Sequence, residues 1–96
     1  MILIPQELAR LVAEAVAAAQ AAGVLPSFEL PPVEVRTSRH AAQGDYSYAA
    51  MPLAKAARLA PLAIAQRISE HLPASPLITR AEAVAPGYVN LFLSED

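Results

Sequence analysis

A chain of 96 residues holds one domain with one modest core and leaves no room for a second. Its formal charge of −2 excludes a blanket of positive potential that would hold nucleic acid at random. The lack of cysteine excludes disulfides, thiol catalysis and cysteine-based zinc sites together, and suits a cytoplasmic protein.

Residues Gln6 to Ala22 read as a helix. Leu8, Leu11, Val12, Ala15, Val16, Ala19 and Ala22 recur at the three-four spacing of one face. Pro5 suits a first turn, where a missing N–H costs nothing, and Gly23 suits a left-handed stop. Pro5, Glu7 and Arg10 also interrupt the short apolar start "MILIPQELAR", which argues against a secretory signal. "VLPSFELPP" packs three prolines into nine residues and reads as a stiff connector. "VEVRT" then alternates as a strand does, with Val33, Val35 and Thr37 on one side and Glu34 and Arg36 on the other. "SRHAAQG" reads as a loop and "DYSY" as a short strand.

Helical spacing returns at Met51. Pro52 leads into "LAKAARLA", and Pro61 opens "PLAIAQRISEHL", where Ile64, Ile68 and Leu72 form a stripe with Ala65 beside it. Two helices meeting at a tight corner around Leu59 to Pro61 is the expected arrangement. Ala60 is a poor cap, so packing and Pro61 must hold that corner. "PASP" ends the helices, and "LITRAEAVA" and "YVNLFL" follow as paired strands. Pro86-Gly87 suits a type II turn, whose twist is wrong for a two-residue hairpin, so a longer loop or a bulge is expected. The favoured register puts Ala81 and Ala83 beside Val89 and Leu91 in the core, and Arg80 and Glu82 beside Asn90 and Phe92 on the other face. The whole predicts an α+β domain of two layers over residues 1–96. An antiparallel four-stranded sheet carries helices on one face, in the order α-β-β-α-α-β-β, and leaves the other face open.

Catalytic and metal chemistry finds no constellation. His40 and His71 are lone histidines, and Ser38, His40 and Asp45 fall in one loop. Gly23, Gly44 and Gly87 are scattered, so there is no glycine-rich phosphate loop. No apolar run reaches the ~18 residues of a membrane span, and the helices are too poor in Lys and Arg for a membrane surface. The expectation is a chain with no catalytic residues, no metal, no membrane and no DNA partner.

What remains is the open face of the last strand. Aromatics are only 5% of the chain, yet Tyr88 and Phe92 flank Asn90 on the side away from Val89, Leu91 and Leu93. An aromatic ring is a platform for an unpaired base, worth roughly 1–3 kcal/mol, and an amide offers both a donor and an acceptor to a base edge. The same face could instead dock another protein domain as a purely structural module. The residues alone leave both readings open.

"HAAQGDYSYAAMPLAKAARLAPLAIAQRISEHL" followed by "APGYVNLFLS" resembles the N-terminal additional domain of arginyl-tRNA synthetase. Gly44, Asp45, Tyr46, Leu53, Ala54, Lys55, Pro61, Ile64, Ala65, Pro86, Gly87, Tyr88, Asn90 and Ser94 fill the places of that family's pattern. Two places depart from it. Ser47, Tyr48 and Ala49 stand where an Asn precedes the helix, and Ala85 stands where Gly or a polar residue is usual. Tyr48 suits either added stacking area or core.

The resemblance implies a domain that touches the outer corner of arginine tRNA at the D-loop, with Tyr88 and Asn90 on an exposed base. Phe92 extends that face, and Arg36, Arg39 and Arg80 are the candidates for phosphate contacts. It implies a parent ligase that attaches arginine to tRNA with ATP. ATP and arginine would bind a catalytic domain, which with the anticodon-binding domain lies outside this chain. That catalytic domain would be the second partner beside tRNA.

Overall fold

The computed structural model describes residues 4–28, 30–37, 44–73 and 75–93. Helix α1 spans Ile4–Ala21 and buries Leu8, Leu11, Val12, Ala15, Val16 and Ala19, the stripe read from the three-four spacing. Ala22 is a correction to that stripe: it lies past the helix end and is exposed. Gly23, with φ of 81°, turns the chain out of the helix, and the Val24 N–H donates to the Ala19 carbonyl at 3.0 Å. The connector then tucks Leu25 into the core and leans Phe28, Leu30 and Val33 against it.

Strand β1 is Val35–Thr37, shorter than the alternation of "VEVRT" predicts, and β2 is Tyr46–Ala49. Asp45, expected in the strand, stands just before it and ties β2 to the far end of strand β4 (Tyr88–Leu93). Its N–H donates to the Leu91 carbonyl at 2.9 Å, and its carboxylate accepts from the Leu93 N–H at 2.8 Å. Gly44 makes that approach possible: a Cβ there would stand 2.9 Å from the Leu91 oxygen, and φ is 91°. Asp45→Ala is expected to destabilise the chain by about 1 kcal/mol and to speed amide exchange at Leu93, with Asp45→Asn costing less because an acceptor oxygen remains. Urea unfolding and hydrogen exchange of the three proteins check this. Unchanged protection of the Leu93 amide would contradict it.

A 3₁₀ turn at Met51–Leu53 runs into the short helix α2, Ala54–Ala57, which stops where Arg58 adopts left-handed φ and ψ of 56° and 37°. Helix α3, Pro61–Glu70, follows an extended Ala60 that makes no side-chain cap bond. The corner is therefore held by packing, as its sequence predicts. At the other end of α3 the His71 ring nitrogen lies 2.9 Å from the Arg67 carbonyl, so this histidine finishes a helix.

Strand β3, Ile78–Val84, and β4 are joined by the three-residue loop Ala85, Pro86 and Gly87. The Ala85–Pro86 peptide bond is cis. Gly87 lacks the positive φ that a type II turn requires, so the turn is of another kind. The sheet order is β1-β2-β4-β3, antiparallel throughout. Ala81 pairs with Leu91 and Ala83 with Val89, while Arg80 faces Phe92 and Glu82 faces Asn90, as expected. A register shift between Ile78 and Arg80 leaves Thr79 as an extra residue, and its hydroxyl donates to the Phe92 carbonyl at 3.1 Å.

Helix α3 lies on β3 and β4, and α1 lies on α3 and β1, so the helices share one side of the sheet. Leu8, Ile64, Ile68, Val89 and Leu91 are sealed between the layers. Tyr48, opposite Val35 and Val89, joins that core, and burial pushes its hydroxyl above the ordinary phenol range.

Candidate nucleic-acid interface

The face of β4 turned from the helices carries Tyr88, Asn90 and Phe92, and the structure treats the three differently. Tyr88 opens the strand beside Ala49 of β2 and is 37% exposed, so much of its ring meets solvent. Asn90 occupies the middle of the central strand, between Ser47 of β2 and Glu82 of β3, and is only 5% exposed. This corrects the expectation of an outward-presented carboxamide. Asn90 sits on the predicted face, but as a short side chain flanked by two long rings it lies at the floor. Phe92 is half-buried, and the Arg80 guanidinium sits 4.1 Å from its ring centroid. That cation covers the ring, so Phe92 is not an open platform.

The arginines expected to meet phosphates also divide. Arg80 leans to Glu82 at 3.5 Å and Arg36 to Glu34 at 3.5 Å, both among exposed groups. Each therefore brings a carboxylate beside its own charge. Arg39 lies outside the described residues, as do Ser38 and His40. Among the described residues no cluster of three potential metal ligands occurs, and no helix is long and apolar enough to cross a membrane.

Beside Tyr88 is a feature that reading along the chain missed. A cleft of about 350 Å³ is walled by Pro31 and Pro32 of the connector, by Pro52 and Leu53, and by Tyr88 itself. Ser47 and Ala49 of β2 also line it, and Glu34 and Arg36 add charge. Asn90 does not line it, but Ser47, its partner across the strands, does. The signal was present in "ELPP": two consecutive prolines make a rigid apolar wall rather than a mere spacer. A lining of prolines and an aromatic ring with Ser47 among them fits a planar ring that carries polar atoms on its edge.

Residues 6–93 match the family described as the arginyl tRNA synthetase N terminal domain. An arginine–tRNA ligase of Halorhodospira halophila is 43% identical over 91 residues, covering 93% of this chain and 16% of that protein. One from Thioalkalivibrio sulfidiphilus is 39% identical over 90 residues, covering 93% of this chain and 15% of that protein. Among solved structures, Thermus thermophilus arginyl-tRNA synthetase superposes with a TM-score of 0.71 at 28% identity, over 96% of this chain and 14% of that one. The chain thus spans about a sixth or less of the length of the relatives it matches.

Proposed function

The chain belongs to the family of arginyl-tRNA synthetase N-terminal domains, and from that premise we propose that it is a tRNA-binding accessory domain that holds the D-loop of arginine tRNA. In family terms it is the accessory part rather than the catalytic one. The observation that carries the reading is Tyr88, open on the sheet face away from the helices and forming one wall of a proline-lined cleft.

A base freed from the D-loop stack enters between the Tyr88 ring and the prolines, where stacking contributes roughly 1–3 kcal/mol whatever the base. Discrimination falls to the polar groups below it. Ser47 offers a hydroxyl in the cleft, and Asn90, one strand over, offers an amide with both a donor and an acceptor. Asn90 is recessed and outside the cleft lining, so a base reaches it only past Ser47, its partner across the strands. A bond made there is shielded from water and discriminates more sharply than one on an open surface.

The domain's contribution is positional. An anchor at the tRNA elbow, remote from the acceptor end, holds the correct tRNA in a productive pose for the parent ligase. That parent, working in the cytoplasm, joins arginine to tRNA with ATP, both bound by a catalytic domain outside these 96 residues.

The test is a titration of the isotope-labelled chain with an arginine tRNA transcript, and with the same transcript substituted at the D-loop base, followed by NMR. Shifts at Tyr88, Ser47 and Ala49 that weaken with the substituted transcript are expected. Shifts indifferent to the substitution, or confined to α1, would remove the D-loop reading and leave a protein-docking role for the open face.

A further inference from the structure

Resting on that tRNA-binding reading, the structure points beyond the base itself to the surface that takes the adjoining phosphates. Of the six described cations, three stand beside carboxylates. Arg10 bridges Glu7 and Glu14 on the outer face of α1, Arg36 pairs with Glu34, and Arg80 with Glu82. Arg67 is half-buried on α3, with its Nε sealed from solvent. Lys55 and Arg58 remain, both exposed and without an ion-pair partner among the described residues. They lie in the stretch Tyr46–Ser69, which contains no acidic residue at all in a chain whose net charge is −2.

Their position matters as much as their charge. Pro52 and Leu53 line the cleft beside Tyr88, and the Ala50 N–H donates to the Gly87 carbonyl at 2.8 Å, which fixes this segment against the start of β4. Pro52, Lys55 and Arg58 are all exposed, and the two cations follow within five residues of the cleft-lining Leu53. Arg58 itself holds left-handed backbone, which glycine would adopt without strain.

We propose that Lys55 and Arg58 form the phosphate track of this domain, holding the sugar-phosphate backbone next to the base that enters the Tyr88 cleft. They take the role that reading along the chain gives to Arg36 and Arg80. Such contacts position the strand and carry no base preference of their own.

The test is the affinity of the 96-residue chain for an arginine tRNA transcript over a salt series, for the wild type, Lys55→Ala/Arg58→Gly, Arg80→Ala and Tyr88→Ala. Alanine keeps the helix at 55 and glycine relieves the backbone at 58, so thermal melts should show the double variant folded. Its affinity at 50 mM salt should fall roughly tenfold, and the slope of log K against log salt should flatten by about 1.5. The loss should be equal for the native and the D-loop-substituted transcript. An unchanged slope, or a larger flattening in Arg80→Ala, overturns the phosphate track even if Tyr88→Ala still weakens binding and the cleft reading stands. Conversely, a flattened slope with binding indifferent to Tyr88 and to the D-loop base supports the track and overturns the cleft.

Discussion

Gly87→Ala will destabilise the chain by about 3 kcal/mol, the upper end of what a single overpacking substitution usually costs. A Cβ at that position would stand 2.4 Å from the Pro61 Cβ, 2.9 Å from the Pro61 carbonyl carbon and 3.1 Å from the Met51 sulfur. Carbon atoms rest at about 3.5–4.0 Å, so the overlap exceeds an ångström. Met51 can swing aside, but Pro61 cannot: its ring is fused to the backbone of the first turn of α3. Relief requires shifting either α3 or the loop before β4. That contact also anchors the corner between α2 and α3, where Ala60 supplies no cap. Thermal denaturation should show a fall of roughly 12–24 °C, taking 4–8 °C per kcal/mol for a domain of this size. A loss below about 0.5 kcal/mol would mean that the loop stands off the helix and that the anchoring argument is wrong.

The second large effect concerns recognition, and it separates two residues on one strand. Tyr88→Ala should weaken tRNA binding by about 1–3 kcal/mol while leaving preference among D-loop bases nearly intact, since stacking is tolerant of base identity. Because the residue is only 37% exposed, losing the covered part of the ring should also cost about 1 kcal/mol of folding stability. Asn90→Ala should instead compress the ratio between the native and the substituted D-loop base by about 1–3 kcal/mol, the usual worth of one base-edge contact. Because Asn90 is 5% exposed, the same change should also cost about 1 kcal/mol of folding stability, so binding must be compared well below the melting point. Charging assays in the full ligase with both tRNAs read the ratio directly. An Asn90→Ala enzyme that discriminates as the wild type does would remove Asn90 from the reading, whatever Tyr88 does.

Much of this architecture was legible along the chain. The stripe from Leu8 to Ala19, the paired strands after "PASP", and the sharing of faces by Ala81 with Leu91 and Glu82 with Asn90 all match the periodicities. The errors share one cause. Asp45 reads as strand because its neighbours alternate, yet its carboxylate is spent on Leu93, 48 positions away. Pro86-Gly87 reads as a type II turn because that dipeptide suits one, yet Gly87 is required by the nearness of Pro61 rather than by its own dihedral angle. The connector reads as a stiff link, yet Pro31 and Pro32 line a cleft together with Tyr88.

By itself, then, the order of residues determined the elements, the two layers and the side of the sheet on which each β4 side chain lies, because helical and strand spacing are properties of the local backbone. Depth and company were decided only in three dimensions. Whether Asn90 is open or recessed, whether Phe92 is bare or lies under Arg80, and which cations remain without an acidic neighbour all depend on groups brought together from distant parts of the chain. No spacing rule along one segment carries that information, since it resides in the packing of one element against another.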